Sequence, residues 1–423
     1  MTEWLDISIA CGYTLLIGFL LLKSKLVKQS GFPIYIVPLL FVVKCILSVV
    51  YTKLHLVLYH GGDSFHYFND GNIIFQTLKE NPLKYIYLTF GPNSSSSDFP
   101  LLIKKEILEM GFWSDTSAYT VVRFNAIVRL VSFGSFYTHG VFMSLISTLG
   151  LLWLYQAVCN EPRNKITWLF FAVPSVLFWT SGIHKEGLLI FTLGGLFLAV
   201  AKLNHFFSTK YLIAVVAFAL GTFLIRDFIF YLLAPGWLAF WLSNKFDIRP
   251  IVIFVAVYTL IIIVGLWIPV SESGNYINMI VNKQQQFELL HYGNTIIDAP
   301  DYDASLVDIF AATPKAFINS LFGPLFLSKN NPKHFILSID TVITILLWLA
   351  LIAFSLNRPI LPRSNRSTLW LVFFSLSLFI VIGLIVPNVG AIVRYRSIAI
   401  AAFTLALVSR FSDNKVIPLK KII

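Results

Sequence analysis

The stretch STLWLVFFSLSLFIVIGLIV, Ser367–Val386, decides the fold class of this 423-residue chain, because it carries no charged residue. Its length matches the roughly 17–25 apolar residues that an α-helix needs to cross the hydrocarbon core of a bilayer. Similar apolar runs recur along the chain, in which 57% of the residues are hydrophobic and 13% are charged. A soluble domain carries about 25% charged residues. The sequence therefore predicts an all-α polytopic membrane protein.

The apolar runs predict about eleven transmembrane helices in a single integral membrane domain that covers residues 1–423. Their limits are 5–22, 33–52, 137–158, 166–183, 187–201, 211–225, 228–243, 250–269, 334–356, 367–386 and 395–409.

The basic residues orient these spans. When the amino terminus is placed outside, every short cytoplasmic loop is rich in Lys and Arg, as the positive-inside rule requires. Two long segments, 53–136 and 270–333, then lie outside. Their apolar and charged residues alternate at helical spacing, which predicts amphipathic helices lying along the outer membrane surface. Because the net charge of +11 anchors the inner face, it does not indicate a nucleic-acid partner.

Residues that this anchoring does not explain collect in four segments on the outer side. Ionisable groups at membrane depth are costly and usually functional. The candidates are Asp63, His66, Tyr67 and Asp70 after the second span, His184, Lys185 and Glu186 after the fourth, Arg226 and Asp227 after the sixth, and Arg394 and Arg396 at the start of the last. We predict that the four segments form one site facing away from the cytosol.

Structural alternatives stay open for several of these residues. Arg226 and Asp227 are adjacent and can neutralise each other, and Lys185 and Glu186 can form an interfacial ion pair. The two last arginines can reach lipid head groups. A helix from Arg396 to Arg410 rises only about 20 Å, against roughly 30 Å of hydrocarbon. These arginines therefore call for an anionic partner such as a phosphate, which Arg binds bidentately.

Cofactors are not required by any motif. No nucleotide-binding fingerprint is present, which argues against a nucleotide-sugar donor or an ATP-driven pump. The histidines show no zinc-ligand spacing; they are His60, His66, His184 and His291. The carboxylates of Asp63 and Asp70 are suitable ligands for a divalent cation, and the sequence does not decide whether one is bound.

Two motifs resemble the GT-C class of integral membrane glycosyltransferases. In that class an acidic residue lies near the membrane in the first large outer loop, and Asp63 in GGDSFHYFNDG (61–71) corresponds to it. PSVLFWTSGIHKEGLLIF (174–191) is similar to a motif of the GPI-anchor mannosyltransferases of this class; the matching residues are Pro174, Ser175, Phe178 and Glu186. The arginines of RYR (394–396) more loosely resemble those of O-antigen and exopolysaccharide polymerases.

The resemblance implies a GT-C-like fold and a membrane glycosyltransferase at the outer face of the plasma membrane, in bacteria the inner membrane. It would transfer a sugar from a polyprenyl-phosphate donor to a glycan, lipid or protein acceptor. Asp63 would be the base, His66 and Tyr67 would place the sugar, and Glu186 and Asp227 would orient cations.

Arg394 and Arg396, with Lys185, would hold the leaving phosphate. The alternatives are a polymerase that uses diphosphate-linked oligosaccharides and a transporter or flippase for lipid-linked sugars. The sugar, the stereochemistry and the oligomeric state stay open.

Overall fold

The computed structural model describes residues 2–59, 62–93, 101–159, 164–267, 276–289, 297, 300, 302, 305–326, 332–356 and 366–412. Within these residues the chain forms helices and no strand, which confirms the predicted all-α class. Three residues discussed above, His60, Gly61 and His291, lie outside the described residues.

The described part of the chain contains α-helices and three short 3₁₀ helices. The α-helices are α1 (Glu3–Lys23), α2 (Lys25–Lys28), α3 (Ile36–Tyr59), α4 (Asp63–Glu80), α5 (Pro82–Phe90), α6 (Lys104–Glu109), α7 (Thr116–Val128), α8 (Phe136–Val158), α9 (Pro174–Trp179), α10 (Lys185–His205), α11 (Thr209–Ile225), α12 (Asp227–Lys245), α13 (Pro250–Trp267), α14 (Tyr276–Leu289), α15 (Leu306–Phe322), α16 (Pro332–Leu356), α17 (Arg366–Ile385) and α18 (Val389–Ser409). The 3₁₀ helices are Leu101–Ile103, Lys165–Ala172 and Gly323–Phe326.

Seven helical segments of the described residues are long and apolar enough to cross a membrane. They are Glu3–Lys23, Ile36–Val57, Phe136–Val158, Lys185–Asn204, Phe335–Leu356, Arg366–Ile385 and Val389–Ser409. These helices are what a polytopic membrane protein requires, whereas the predicted count of about eleven is not confirmed. Two further apolar helices are shorter, Thr209–Ile225 and Pro250–Val264.

The predicted span 166–183 is not one continuous helix. The 3₁₀ helix Lys165–Ala172 is followed by the short α9, and Val173 between them is extended, with φ −72° and ψ 113°. Pro174 explains the break, because its ring disfavours a helical conformation at the preceding residue. In contrast, α12 continues through its interior Pro235 as one helix.

Both predicted outer segments contain helices. α4 to α7 lie within 53–136, and α14 and α15 lie within 270–333. The amphipathic stretches are therefore helical as predicted. Their placement along an outer membrane surface stays a prediction.

The described residues fall into two compact units. The first unit takes its residues from Met1–Arg163 and Leu177–Phe230, and the second from Asn164–Val176 and Tyr231–Asp413. Each unit contains several of the seven candidate spans. The prediction of a single membrane domain is not tested by this division.

Glycines set the packing within the first unit. A Cβ atom on Gly194 of α10 would lie 2.0 Å from the carbonyl oxygen of Gly150 in α8, and one on Gly150 would lie 2.4 Å from that of Ile190. Small residues let helices in membranes approach until their backbones touch. α8 and α10 thus form a close pair, and the turn that precedes α10 is fixed by this pairing.

The second unit is organised around α17. A Cβ atom on Gly383 would lie 1.8 Å from the carbonyl oxygen of Ala316 in α15, so these two helices also pack backbone to backbone. Tyr302 donates a hydrogen bond of 3.0 Å to the carbonyl of Leu384 and is buried in the same cluster. α18 pairs with α17 and carries the two predicted arginines.

Candidate functional site

Asp63 is the first residue of α4 and is preceded by a glycine that the backbone requires. Gly62 has φ 63° and ψ −168°, a conformation that is essentially restricted to glycine. Ser64 donates a hydrogen bond of 3.0 Å to the carbonyl of Ile183. The start of α4 is thereby fixed to the turn before α10. The Asp63 side chain is 47% exposed, so its carboxylate is accessible.

The turn 180–184 is held from two further directions. Lys44 of α3 is completely buried and its Nζ donates a hydrogen bond to Thr180 Oγ1. Gly182 lies against the ring of Tyr51, where an added Cβ atom would come within 2.5 Å of the ring. A larger residue at 182 would displace the turn. These contacts present the side chain of His184, the last residue of the turn, to the start of α4.

Four ionisable side chains then form a connected chain. The Nε2 atom of His184 lies 3.8 Å from Asp63 Oδ2, and its Nδ1 atom lies 3.2 Å from Glu186 Oε2. Glu186 is fully buried, and its Oε1 accepts a 2.6 Å hydrogen bond from Arg226 Nη2. His184 and Arg226 are also buried. Asp63 is therefore the accessible end of a buried chain that runs through His184 and Glu186 to Arg226.

The chain is balanced when His184 is an imidazolium. The two positive groups, His184 and Arg226, then match the negative charges of Asp63 and Glu186. In the neutral form, the backbone N–H of Lys185 lies 3.3 Å from Nδ1, which leaves the proton on Nε2 facing Asp63. In either form Nε2 lies 3.8 Å from Asp63 Oδ2, beyond hydrogen-bond distance, so the imidazole acts on that carboxylate through its charge or dipole.

Charges pair between distant segments at this site. Glu186 accepts from Arg226, and Lys185 Nζ lies 3.4 Å from Asp115 Oδ2. Asp115 also caps α7, since its Oδ1 accepts from the backbone N–H groups of Ser117 and Ala118. Neither pairing was among the alternatives considered from the sequence. Asp227 Oδ1 accepts from the backbone N–H of Phe228.

The other candidates of α4 have different surroundings. Tyr67 is buried, and its ring lies edge-on to His184 at 5.8 Å, so it packs the imidazole in place. Asp70 is buried, and its Oδ2 accepts a 3.0 Å hydrogen bond from the backbone N–H of Phe112. Burial raises the pKa of Asp70 above its ordinary value. His66 is exposed and lies edge-on to Phe112 at 6.2 Å, and its role in placing a sugar stays a prediction.

Metal binding gains no support within the described residues, where no group of three or more His, Cys, Asp or Glu side chains is arranged to hold an ion. This finding does not decide whether Asp63 or Asp70 binds a divalent cation.

Arg396 belongs to the second unit and is enclosed there. Its side chain is 1% exposed, and its Nη1 donates to the carbonyls of Ser320 (3.3 Å) and Leu321 (2.7 Å), near the end of α15. Its Nη2 donates to Thr341 Oγ1 at 2.6 Å and lies 3.7 Å from Asp340 Oδ2. A guanidinium at helix C-terminal carbonyls is favoured by the helix dipole. These contacts give Arg396 a structural role within the second unit, and its binding of a phosphate stays a prediction.

Arg394 points elsewhere on α18. Side chains two residues apart on an α-helix are separated by about 200° around its axis, so Arg394 and Arg396 leave α18 on nearly opposite sides. Arg394 Nη2 donates to Tyr395 Oη at 3.1 Å, and its guanidinium lies 4.9 Å from that ring. The predicted meeting of these arginines with Asp63 stays a prediction, because they belong to the second unit.

Three residues of the site were not predicted from the sequence. Lys44 lies within the predicted span 33–52 and was assigned no role, and Tyr51 and Asp115 were not singled out. Asp115 precedes Thr116 and Ser117 as a helix N-cap residue does, but that signal does not reveal its contact with Lys185. Comparison with known proteins adds no assignment, since no family model, curated protein or solved structure matches this chain.

Proposed function

We propose that this protein is a membrane glycosyltransferase that transfers a sugar from a polyprenyl-phosphate donor to a hydroxyl group of a glycan, lipid or protein acceptor. The observation that carries the proposal is the Asp63 carboxylate, which is accessible while the three ionisable groups linked to it are buried. A carboxylate held in this way is suited to accept a proton from a bound hydroxyl group.

In the proposed reaction the acceptor oxygen forms a bond to the anomeric carbon of the sugar, and the bond from that carbon to the phosphate oxygen breaks. The acceptor proton passes to Asp63 as the new bond forms. The electron pair leaves with the polyprenyl phosphate. His184 is a positioning residue in this scheme: its Nε2 faces Asp63, and Glu186 and Arg226 hold the imidazole from behind.

The leaving phosphate requires a cation that can change partners. Arg226 is committed to the buried Glu186 carboxylate, and its release would leave a buried charge uncompensated. Lys185 is different, because the carboxylate of Asp115, 3.4 Å from its Nζ, is 50% exposed, so that breaking this ion pair leaves no buried carboxylate without a cation. Lys185 is thus the cation of this site that we assign to the phosphate.

The charge pattern supports one side of the membrane for the site. With the short basic loops in the cytoplasm, the start of α4 and the turn before α10 would lie on the outer face of the plasma membrane. A donor presented in the outer leaflet by its polyprenyl chain would reach Asp63 from that side.

The proposal is tested by Asp63→Asn in purified, reconstituted protein supplied with labelled polyprenyl-phosphate sugars and a membrane extract as acceptor. Loss of a general base lowers turnover by about 10²–10⁴-fold. Glu80→Gln is the matched control, since Glu80 is an exposed carboxylate at the other end of α4. Wild-type transfer by Asp63→Asn would refute the role of Asp63, and a ladder of chain lengths would identify a polymerase instead.

A further inference from the structure

Helix α5 has two apolar faces. One face is buried and contains Tyr85, Leu88 and Thr89. Tyr85 Oη donates to the carbonyl of Ala126 at 3.2 Å, and the carbonyl of Leu88 accepts from Tyr119 at 2.8 Å. This face is therefore fixed against α7 and needs no further partner.

The opposite face of α5 is apolar and exposed. Leu83, Ile86 and Phe90 follow the spacing i, i+3, i+7 and are 71%, 52% and 70% exposed, so they form one row along the helix. α5 has nine residues and is about 13 Å long, which is too short to cross a bilayer. A row of large apolar side chains on such a helix marks an interaction surface.

The adjoining helices extend this surface and add charge to it. Leu101 and Leu102 are exposed in the 3₁₀ helix, and Lys104 and Lys105 are exposed at the start of α6. α5 and α6 are joined by the 2.8 Å ion pair of Lys84 with Glu106. We call seven of the exposed residues the α5–α6 face: Leu83, Ile86, Phe90, Leu101, Leu102, Lys104 and Lys105; Leu108 and Glu109 of α6 are exposed as well.

The positive charge of the α5–α6 face is compensated only in part, because Glu106 interacts electrostatically with Lys105 as well as with Lys84. Glu106 is the carboxylate nearest in sequence to both lysines, and it is occupied by Lys84. Among the described residues no carboxylate lies within ion-pair distance of Lys104 or Lys105. The face thus combines exposed apolar side chains with two exposed lysines, which is the composition of a helix surface that lies in the interface of an anionic membrane.

We propose that the α5–α6 face binds the surface of a bilayer that contains anionic phospholipids. The apolar row would enter the boundary between head groups and acyl chains, while Lys104 and Lys105 would contact lipid phosphates. The geometry of the chain permits this contact, because α4 to α7 lie between α3 and α8, and both of these helices are candidate spans. The proposal does not depend on the catalytic role of Asp63.

The test uses the full-length protein with an environment-sensitive fluorophore on Leu102→Cys in a Cys11→Ser background, since Cys45 and Cys159 are buried. The protein is reconstituted in nanodiscs of phosphatidylcholine with and without phosphatidylglycerol. With phosphatidylglycerol we expect strong quenching by doxyl-labelled lipid and weak quenching by iodide. Lys104→Glu combined with Lys105→Glu should lower the ratio of lipid to iodide quenching at least about tenfold.

Lys104→Arg combined with Lys105→Arg is the matched control and should keep the anionic-lipid dependence, because it preserves both charges. Three outcomes would overturn the proposal. They are equal quenching in both lipid compositions, no effect of the charge reversal, and quenching that changes with the number of protein copies per disc, which would indicate a second copy on this face. Asp63→Asn should leave the ratio unchanged.

Discussion

The two arginine centres of this protein, Arg226 in the first unit and Arg396 in the second, show how similar charges serve different purposes. Both guanidinium groups are buried beside an acidic residue. Arg226 makes a 2.6 Å hydrogen bond to Glu186, and that carboxylate continues through His184 to the accessible Asp63. Arg396 instead donates to carbonyl groups of Ser320 and Leu321 and is enclosed by them.

The difference lies in whether the chain of contacts reaches an accessible group. A buried ion pair by itself is weak evidence of function, since removing one member destabilises any protein. The Arg226 centre leads to a carboxylate that a substrate can touch, and the described contacts of Arg396 end within its own unit. We therefore expect substitutions at both arginines to affect folding. Substitutions of the residues that connect Arg226 to Asp63 should affect sugar transfer as well.

The largest effect is expected for Arg226→Met, which leaves the Glu186 carboxylate buried without its cation. Breaking a buried pair from one side costs about 3–5 kcal/mol. Thermal unfolding of the detergent-solubilised protein measures this loss. The double variant Arg226→Met with Glu186→Leu should recover most of the stability but none of the transfer activity. If Arg226→Met alone unfolds like the wild type, the pair is not a structural element.

A loss of similar size is expected for Arg396→Met. The carbonyls of Ser320 and Leu321 lose their charged donor, and hydrogen bonds of that kind contribute about 1.5–3 kcal/mol each. Arg394→Met is the matched control on the same helix and should change stability by less than about 1 kcal/mol. Equal losses of thermal stability in the two variants would contradict the assignment of Arg396, and not Arg394, as the structural arginine.

Lys44→Met should separate stability from activity. Lys44 is completely buried and donates to Thr180, so its replacement by an apolar side chain of similar length should leave stability unchanged or raise it. The turn that presents His184 loses a tether, and we expect roughly tenfold lower transfer, about 1.4 kcal/mol in the barrier. Thr180→Val removes the same hydrogen bond from the other side and should match this loss. A fall in stability with normal transfer would refute the positioning role.

The sequence was sufficient for the helical class and for most apolar helices, because long uncharged runs have few alternatives in a membrane protein. It was not sufficient to locate helix breaks, because these depend on backbone geometry. Pro174 divides the predicted span 166–183, and hydropathy does not register that break.

The candidate site was predictable in part. Asp63, His184, Glu186 and Arg226 were all selected because ionisable residues are unusual beside apolar runs, and the structure brings these four together. Their pairing was not predictable, since sequence favours neighbours and the fold joins residues 40 positions apart, as for Arg226 and Glu186. The burial of Arg396 depends on the end of α15 and had no signal in the sequence.

The smallest expected effects concern two carboxylates of the first unit that respond oppositely to pH. Burial disfavours the charge of Glu106, but the hydrogen bond and the charge of Lys84 outweigh it and hold the pKa of Glu106 below its ordinary value of 4.5. Burial dominates at Asp70, despite backbone N–H groups of Phe112 and Gly111, and raises its pKa above 3.8.

The two shifts give opposite signs for stability. The contribution of Glu106 is present above about pH 4.5 and is lost as the pH falls through its lowered pKa, so Glu106→Gln should destabilise the protein at neutral pH by about 1 kcal/mol and match the wild type in acid. The favourable contribution of protonated Asp70 is lost as the pH rises through its raised pKa. Asp70→Asn keeps an oxygen acceptor for Phe112 and removes the charge, so it should equal or exceed wild-type stability at neutral pH. Unfolding curves of both variants from pH 3 to pH 7 measure these slopes, and parallel slopes would contradict the distinction between a paired and a merely buried carboxylate.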